Sequence, residues 1–134
     1  MILQDKKEKL ILELSNIYAL LMKILIIEEH QGEALKSEDY DSFYEYIQFE
    51  GTIMNEIKTM MAAIVPELIY YREEPEVKDT LKSIEEINKK ILKNNISFQR
   101  DVKDRMGDMK KKITSLNNYV PSSLNISTIL NIRA

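Results

Sequence analysis

Few side chains in this chain have types and spacing suited to chemistry, and they centre on one histidine. His30 follows Glu28 and Glu29 directly. A di-iron site in a helical bundle needs two Glu-x-x-His motifs, but residue 27, three positions before His30, is isoleucine. A zinc site needs more histidine or cysteine ligands than one histidine, and the chain has no cysteine. We predict that His30 lies on a solvated helix face and that no metal or cofactor is bound.

Other catalytic arrangements are also missing from the sequence. The three glycines, Gly32, Gly51 and Gly107, are too far apart to form a phosphate-binding loop. Serines and aspartates without a second usable base do not make a nucleophilic triad. The net charge of −3 and the pI of about 5.3 disfavour nucleic-acid binding, and the lysines at 110–112 suit a helix end. We predict a protein that is not an enzyme.

The elements that must position these side chains are three long helices. In each, apolar residues recur at alternating spacings of three and four, the 3.5-residue period of coiled-coil packing. The sequence therefore predicts an all-α fold, an elongated antiparallel helical hairpin with a third long helix packed along it. The repeating positions are Leu10, Leu14, Ile17, Leu21, Ile24, Glu28 and Leu35; Tyr40, Phe43, Ile47, Glu50, Met54, Ile57, Met61, Ile64, Leu68 and Tyr71; and Leu81, Ile84, Asn88, Ile91, Asn95, Phe98, Val102, Met109 and Leu116.

Turn and capping residues divide the chain into a helical bundle, 1–118, with helices over about 5–36, 39–72 and 76–118, and a tail, 119–134. Ser37 or Asp39 is suited to cap the second helix, and Pro75 is suited to the first turn of the third. Pro66 predicts a kink or an early end of the second helix. Pro121 predicts the end of the third helix.

The location of the protein is predicted from its N-terminal half. The first ten residues mix acids and bases before any apolar run, which argues against a signal peptide. The most apolar stretch, residues 10–27, is interrupted by Glu13 and Lys23, so we expect no membrane insertion. The absence of cysteine suits a reducing compartment. We predict a cytoplasmic protein.

The helices carry more apolar surface than one seam requires. Leu20, Met22 and Ile26 fall off the main stripe of the first helix, so this helix either packs between the other two or receives another protein. Tyr44, Tyr46 and Phe49 lie off the stripe of the second helix and either cover the end of the bundle or bind a partner. Polar residues on core stripes, namely Glu50, Asn88 and Asn95, are expected to pair inside the structure.

The tail is the least charged part of the chain. Between Asn118 and Ala134 its one charged residue is Arg133, and its apolar residues include Leu124, Ile126, Leu130 and Ile132. Their partial alternation suits a strand, whereas the stretch from Ser127 suits a helical turn, and the sequence leaves both open. An exposed apolar tail would mark an interaction site. It either folds back on the bundle or docks in a groove of this or a neighbouring molecule.

The order of these features resembles the FlgN-type flagellar (type III) export chaperone family. The similarity runs through "LLMKILIIEEHQGEALKSEDYDSFYEYI", where a leucine-rich helix leads to Glu28 or Glu29, an acidic turn at Asp39 and a second helix. It continues in "INKKILKNNISF", with Asn94 and Asn95, and ends at Tyr119. Where that family often has a basic residue early in the second helix, this chain has Glu50-Gly51.

The resemblance implies a cytoplasmic chaperone that binds C-terminal segments of hook-associated proteins (FlgK/FlgL-like) and delivers them to the export gate protein (FlhA-like). The resemblance also implies that Asn95 and Tyr119 take part in binding partners. Tyr44, Phe49 and the apolar tail residues are predicted to do so from their own positions and side chains. The alternative is a non-enzymatic coiled-coil protein of structural or regulatory role that self-associates, for example as a homodimer.

Overall fold

A computed structural model describes the backbone of residues 2–105 and the side chains of residues 5–105. Three helices account for nearly all of it: α1 (Ile2–Lys36), α2 (Tyr40–Tyr71) and α3 (Pro75–Arg105). The described part contains no strand. The predicted all-α fold, with two antiparallel helices and a third long helix, is therefore confirmed.

Helix α1 is the central element, since it packs against both α2 and α3. The start of α1 lies beside the start of α3, and the end of α1 lies beside the end of α3. Near the start of α1, Lys7 Nζ lies 3.7 Å from Oε2 of Glu74, the residue just before α3 begins. Near its end, the Leu35 carbonyl accepts a hydrogen bond of 3.1 Å from Arg105 Nη1. Helix α3 therefore runs parallel to α1, and α2 runs antiparallel between two short turns.

The turn between α1 and α2 is specified by its own hydrogen bonds. Asp39 N donates to the Ala34 carbonyl at 2.8 Å, and Glu38 N donates to the Leu35 carbonyl at 3.2 Å. This pair of bonds is a Schellman motif, which requires a left-handed residue, and Glu38 accordingly has φ 59°. Asp39 then caps α2, because its carboxylate accepts from Ser42 N and Ser42 Oγ. The predicted cap at Asp39 is confirmed.

The turn between α2 and α3 follows the predicted pattern, whereas α2 before this turn departs from it at Pro66. Pro75 is the first residue of α3 and Glu76 lies in its first turn, where a carboxylate favours the positive helix end. Of the two outcomes predicted at Pro66, the early end of α2 is wrong, because α2 continues past Pro66 to Tyr71, and the kink stays a prediction. The apolar contacts of Ile64 and Leu68 with the core stabilise this last part of α2 despite the missing N–H donor.

The described helix bounds lie close to those expected from sequence. Helix α1 begins at Ile2 rather than at residue 5, and α2 and α3 begin within one residue of the predicted positions. The continuation of the third helix toward residue 118, the end expected at Pro121 and the tail 119–134 lie outside the described residues.

The buried side chains form two separate apolar cores. The long core joins all three helices and includes Leu14, Ile57 and Ile84, each at most 1% exposed. The short core lies near the α1–α2 turn and contains Ala34, Leu35, Phe43, Ile47 and Val102, with Tyr40, Tyr46 and Phe98 packed against it. Phe43 meets Phe98 edge to face with ring centroids 6.1 Å apart.

Candidate functional site

One face of α1 is apolar and exposed, although the opposite face forms the long core. On this outward face, Leu12 is 61% exposed, Met22 40% and Ile26 52%. Ser15 and Ala19 lie between them and are also exposed. We call these five residues the outward face of α1. Their spacing of three and four places them on one stripe about 21 Å long.

The outward face results from the composition of α1. Core positions such as Leu14, Leu21 and Ile24 repeat along one side of the helix and are fully buried. Residues 10–27 contain only two charged side chains, Glu13 and Lys23, so few charged positions remain to cover the other side. A helix that is apolar on two opposite sides is buried on both in most folds. Here the described residues cover only one side.

The same composition bears on the membrane prediction. Within residues 5–36, α1 contains an 18-residue window with a mean hydropathy of 2.0, which is long and apolar enough to cross a membrane. Central helices of proteins that never enter a membrane meet this test as well. In this structure the core side of α1 packs against α2 and α3. The absence of membrane insertion stays a prediction.

Shallow clefts flank these helices. One of about 240 Å³ lies between α1 and α3, beside the outward face, and is lined by Ser15, Tyr18, Asp79, Thr80 and Ser83. Another of about 490 Å³ lies on α3 and combines apolar with basic side chains. Ile96 there is 57% exposed, and Lys89, Lys93 and Arg100 surround it. Neither cleft contains a carboxylate–histidine set suited to catalysis.

A buried polar layer separates the two apolar cores. It consists of Glu28 and Gln31 from α1, Glu50 from α2, and Asn94 and Asn95 from α3. Asn94 Nδ2 donates to Glu28 Oε1 at 2.9 Å, and Gln31 Nε2 donates to Glu50 Oε1 at 3.2 Å. Asn95 also bonds to Glu50. Glu28, Gln31 and Glu50 are each at most 1% exposed and Asn95 is 3% exposed, so the layer is closed to solvent apart from the half-buried Asn94.

Burial changes the acidity of both carboxyl groups in this layer. Burial, together with the nearby charge of Glu50, raises the pKa of Glu28 from 4.5 to about 9, against a hydrogen bond from Asn94 that lowers it. Burial also raises the pKa of Glu50 to about 7, a smaller change because hydrogen bonds with Glu28, Gln31 and Asn95 favour its charged form. The Glu28–Glu50 pair therefore holds a proton more tightly than two ordinary carboxyl groups would.

The layer contains more acceptors than donors. Glu28 Oε2, Gln31 Oε1 and Asn95 Oδ1 are buried without a hydrogen-bond partner. Within residues 5–105, the buried polar and charged side chains include no lysine, arginine or histidine that would neutralise the carboxyl groups. A proton on one carboxyl group supplies a donor and removes a charge, which suits this surplus.

The residues expected from sequence to bind partners differ in how far they are exposed to solvent. Asn95 is buried in the polar layer, where it contacts Glu50 rather than solvent. Tyr44 is half-buried on α2. Phe49 is 59% exposed and available at the surface. The remaining candidates lie outside the described residues: Tyr119, Leu124, Ile126, Leu130 and Ile132.

Other expectations about polar residues can be compared directly with the structure. Glu50 and Asn95 pair inside the core, as predicted. Asn88 is also buried, at 1% exposed. His30 lies on an exposed face as predicted, where its ring stacks on Tyr46 with centroids 5.5 Å apart and Nδ1 lies 3.8 Å from Glu33. Among the described residues no group of three or more acidic, histidine or cysteine side chains could hold a metal ion.

Sequence reasoning missed the pairing of Glu28 with Glu50. The stripe itself was predicted, because Glu28 continues the three-and-four spacing of Leu21 and Ile24. The spacing does not show that Glu28 meets Glu50, because that contact depends on the register between α1 and α2.

No protein-family model matches the chain, and no curated protein or solved structure matches it.

Proposed function

We propose that this protein is a non-enzymatic binding protein of the flagellar export chaperone type, which holds C-terminal segments of hook-associated proteins before export. The outward face of α1 is the observation that supports this proposal. It offers three exposed apolar side chains, Leu12, Met22 and Ile26, on a rigid helix whose other side is anchored in the long core.

The partner that fits this face is an amphipathic helix. A partner helix lying along α1 would place its apolar residues at the same three-and-four spacing against Leu12, Met22 and Ile26. Ser15 and Ala19 are small and would let the two backbones approach closely at the centre. Burying each large apolar side chain stabilises a complex by about 1.5–3 kcal/mol before the cost of association. A C-terminal client segment that can form an amphipathic helix would fit this face.

A pair of matched isoleucines tests the proposal. Ile26→Lys places a charge in the outward face, whereas Ile69→Lys places one on α2 at a position that is 42% exposed. We expect the I26K variant to lose at least tenfold in affinity for C-terminal peptides of hook-associated proteins from the same cell. The I69K variant should bind like the wild type. Isothermal titration with purified protein measures both. Equal binding by all three proteins would contradict the proposed face.

Delivery to the export gate is a separate part of the proposal. It is assigned to Tyr119, which lies outside the described residues. Tyr119→Ala is expected to leave client affinity unchanged while weakening retention on an FlhA-like cytoplasmic domain in a pull-down. A variant that retains full gate binding would remove Tyr119 from this role without affecting the assignment of the client face.

The alternative function is self-association of a structural or regulatory helical protein. The small residues Ser15 and Ala19 favour it, because two copies of α1 could pack closely across this face. Multi-angle light scattering separates the two functions. A stable dimer that becomes monomeric in the I26K variant and does not bind client peptides would support self-association. A monomer that becomes larger only with a client peptide would support the chaperone.

A further inference from the structure

The polar layer is positioned to couple the closure of the bundle to protonation. It contacts all three helices, with Glu28 on α1, Glu50 on α2 and amides on α3, and it lies between the long and short cores. A change of charge in this layer therefore acts where the three helices meet. This inference does not depend on the proposed function.

The layer holds two carboxyl groups and no compensating cation. The titratable groups facing it are Glu28 from α1 and Glu50 from α2, while the described part of α3 contributes the neutral amides of Asn94 and Asn95. The buried oxygens without partners are all acceptors, on Glu28, Gln31 and Asn95. Two ionised carboxylates here would repel each other and leave several acceptors without donors, a costly arrangement in a closed interior.

We propose that the polar layer is a proton-dependent latch, in which a proton held by the Glu28–Glu50 pair keeps the helices closed and its loss releases the short core before the long core. The short core opens first because it is smaller and lies at one end. It contains five buried apolar residues, whereas the long core contains sixteen. Opening at the short core also gives water the shorter path to the two carboxylates.

The direction of the pH dependence follows from where the proton is held more tightly. Both carboxyl groups have a higher pKa in the folded protein than the ordinary value of 4.5 that applies when unfolded. Folding therefore binds protons above pH 4.5, and stability falls as pH rises from about 4.5 toward 9. In this window, if the folded state holds one more proton than the unfolded state, the unfolding equilibrium constant rises about tenfold for each unit by which the pH increases.

Amide hydrogen exchange with protection factors, which correct for the intrinsic rate, tests the latch. Between pH 6 and pH 9 we expect residues 40–47 and 98–103 to lose at least tenfold in protection. Residues 57–64 of the long core should lose less over the same range. The Glu28→Gln variant keeps the shape of the side chain without its charge. Its protection over residues 40–47 and 98–103 should fall less between pH 6 and pH 9 than in the wild type, because only the Glu50 carboxyl group still titrates in the layer.

Two further variants make the result decisive. Glu29→Gln changes an exposed carboxylate next to Glu28 and should retain the wild-type pH profile. Glu50→Gln removes the other carboxyl group and should also make the loss of protection smaller than in the wild type, which keeps the test available if the E28Q variant does not fold. Wild-type pH dependence in both the E28Q and E50Q variants would overturn the latch. Equal loss of protection in the two cores would overturn the order of opening.

Discussion

The long and short cores of this bundle are built from the same helices but differ in how they are closed. The long core is built mainly from aliphatic side chains of α1, α2 and α3, and Tyr71 is its one buried aromatic residue. The short core relies on aromatic rings, Phe43 and Phe98, and is bounded by the polar layer on one side and the α1–α2 turn on the other. The long core is expected to carry global stability, and the short core to control local opening at one end.

The difference shows how a single helix can serve two purposes along its length. Where α1 carries Leu14, Leu21 and Ile24 inward, the buried side chains are apolar, so the stability that they contribute varies little with pH. One and two turns later, the same stripe carries Glu28 and Gln31 inward. Their burial is favourable only with hydrogen bonds and a proton, so this part of the helix contributes conditional stability.

The largest effect should come from a charge in the long core. Ile57 is 1% exposed and lies at the centre of α2. Ile57→Asp would bury an unpaired carboxylate and remove apolar contacts, so we expect a loss of at least about 4 kcal/mol. Circular dichroism during urea denaturation measures it. An I57D variant that unfolds at the wild-type urea concentration would show that the stripe of α2 is assigned incorrectly.

The next effect should be local to the short core. Phe43 is fully buried and contacts Phe98. Phe43→Ala should cost about 3–5 kcal/mol of the interactions at this site. We expect amide protection to fall over residues 40–47 and 98–103, with less change over residues 57–64. Uniform loss across both regions would mean that the two cores unfold as one cooperative unit.

A smaller effect is expected from the cap that begins α2. The Asp39 carboxylate accepts bonds from Ser42 N at 3.2 Å and from Ser42 Oγ at 2.7 Å. Asp39→Ala removes both acceptors and should lower the free energy of unfolding by about 1 kcal/mol. The matched control is Asp41→Ala, which changes an exposed aspartate two residues further along, in the first turn of α2. If both variants lose the same stability, the cap has no special contribution.

The smallest expected effect is stabilising and lies in the same turn. Glu38 has φ 59°, a left-handed conformation that costs a residue with a side chain more than it costs glycine. Glu38→Gly should therefore stabilise the protein by about 0.5–1 kcal/mol, measured by urea denaturation. Glu33→Gly, in the last turns of α1, should instead destabilise it by a similar amount because it lies inside a helix. A destabilised E38G variant would contradict the Schellman geometry.

Much of this molecule was determined by local sequence. The 3.5-residue period of Ile57, Met61 and Ile64 determined that α2 is a helix and which side it buries. Asp39 and Pro75 determined where α2 and α3 begin, because capping and first-turn preferences act within a few residues. These features depend on neighbours along the chain, so they could be predicted without knowing the fold.

The polar layer was decided only by tertiary structure. Glu28 and Glu50 are 22 residues apart, and Asn94 is 66 residues from the Glu28 carboxyl group that it contacts. Their pairing depends on the register of three helices, which local periodicity does not specify. Tertiary packing also decided which apolar side of α1 is covered. The spacing of Leu12, Met22 and Ile26 matches a second buried stripe equally well, and only the positions of α2 and α3 leave it exposed.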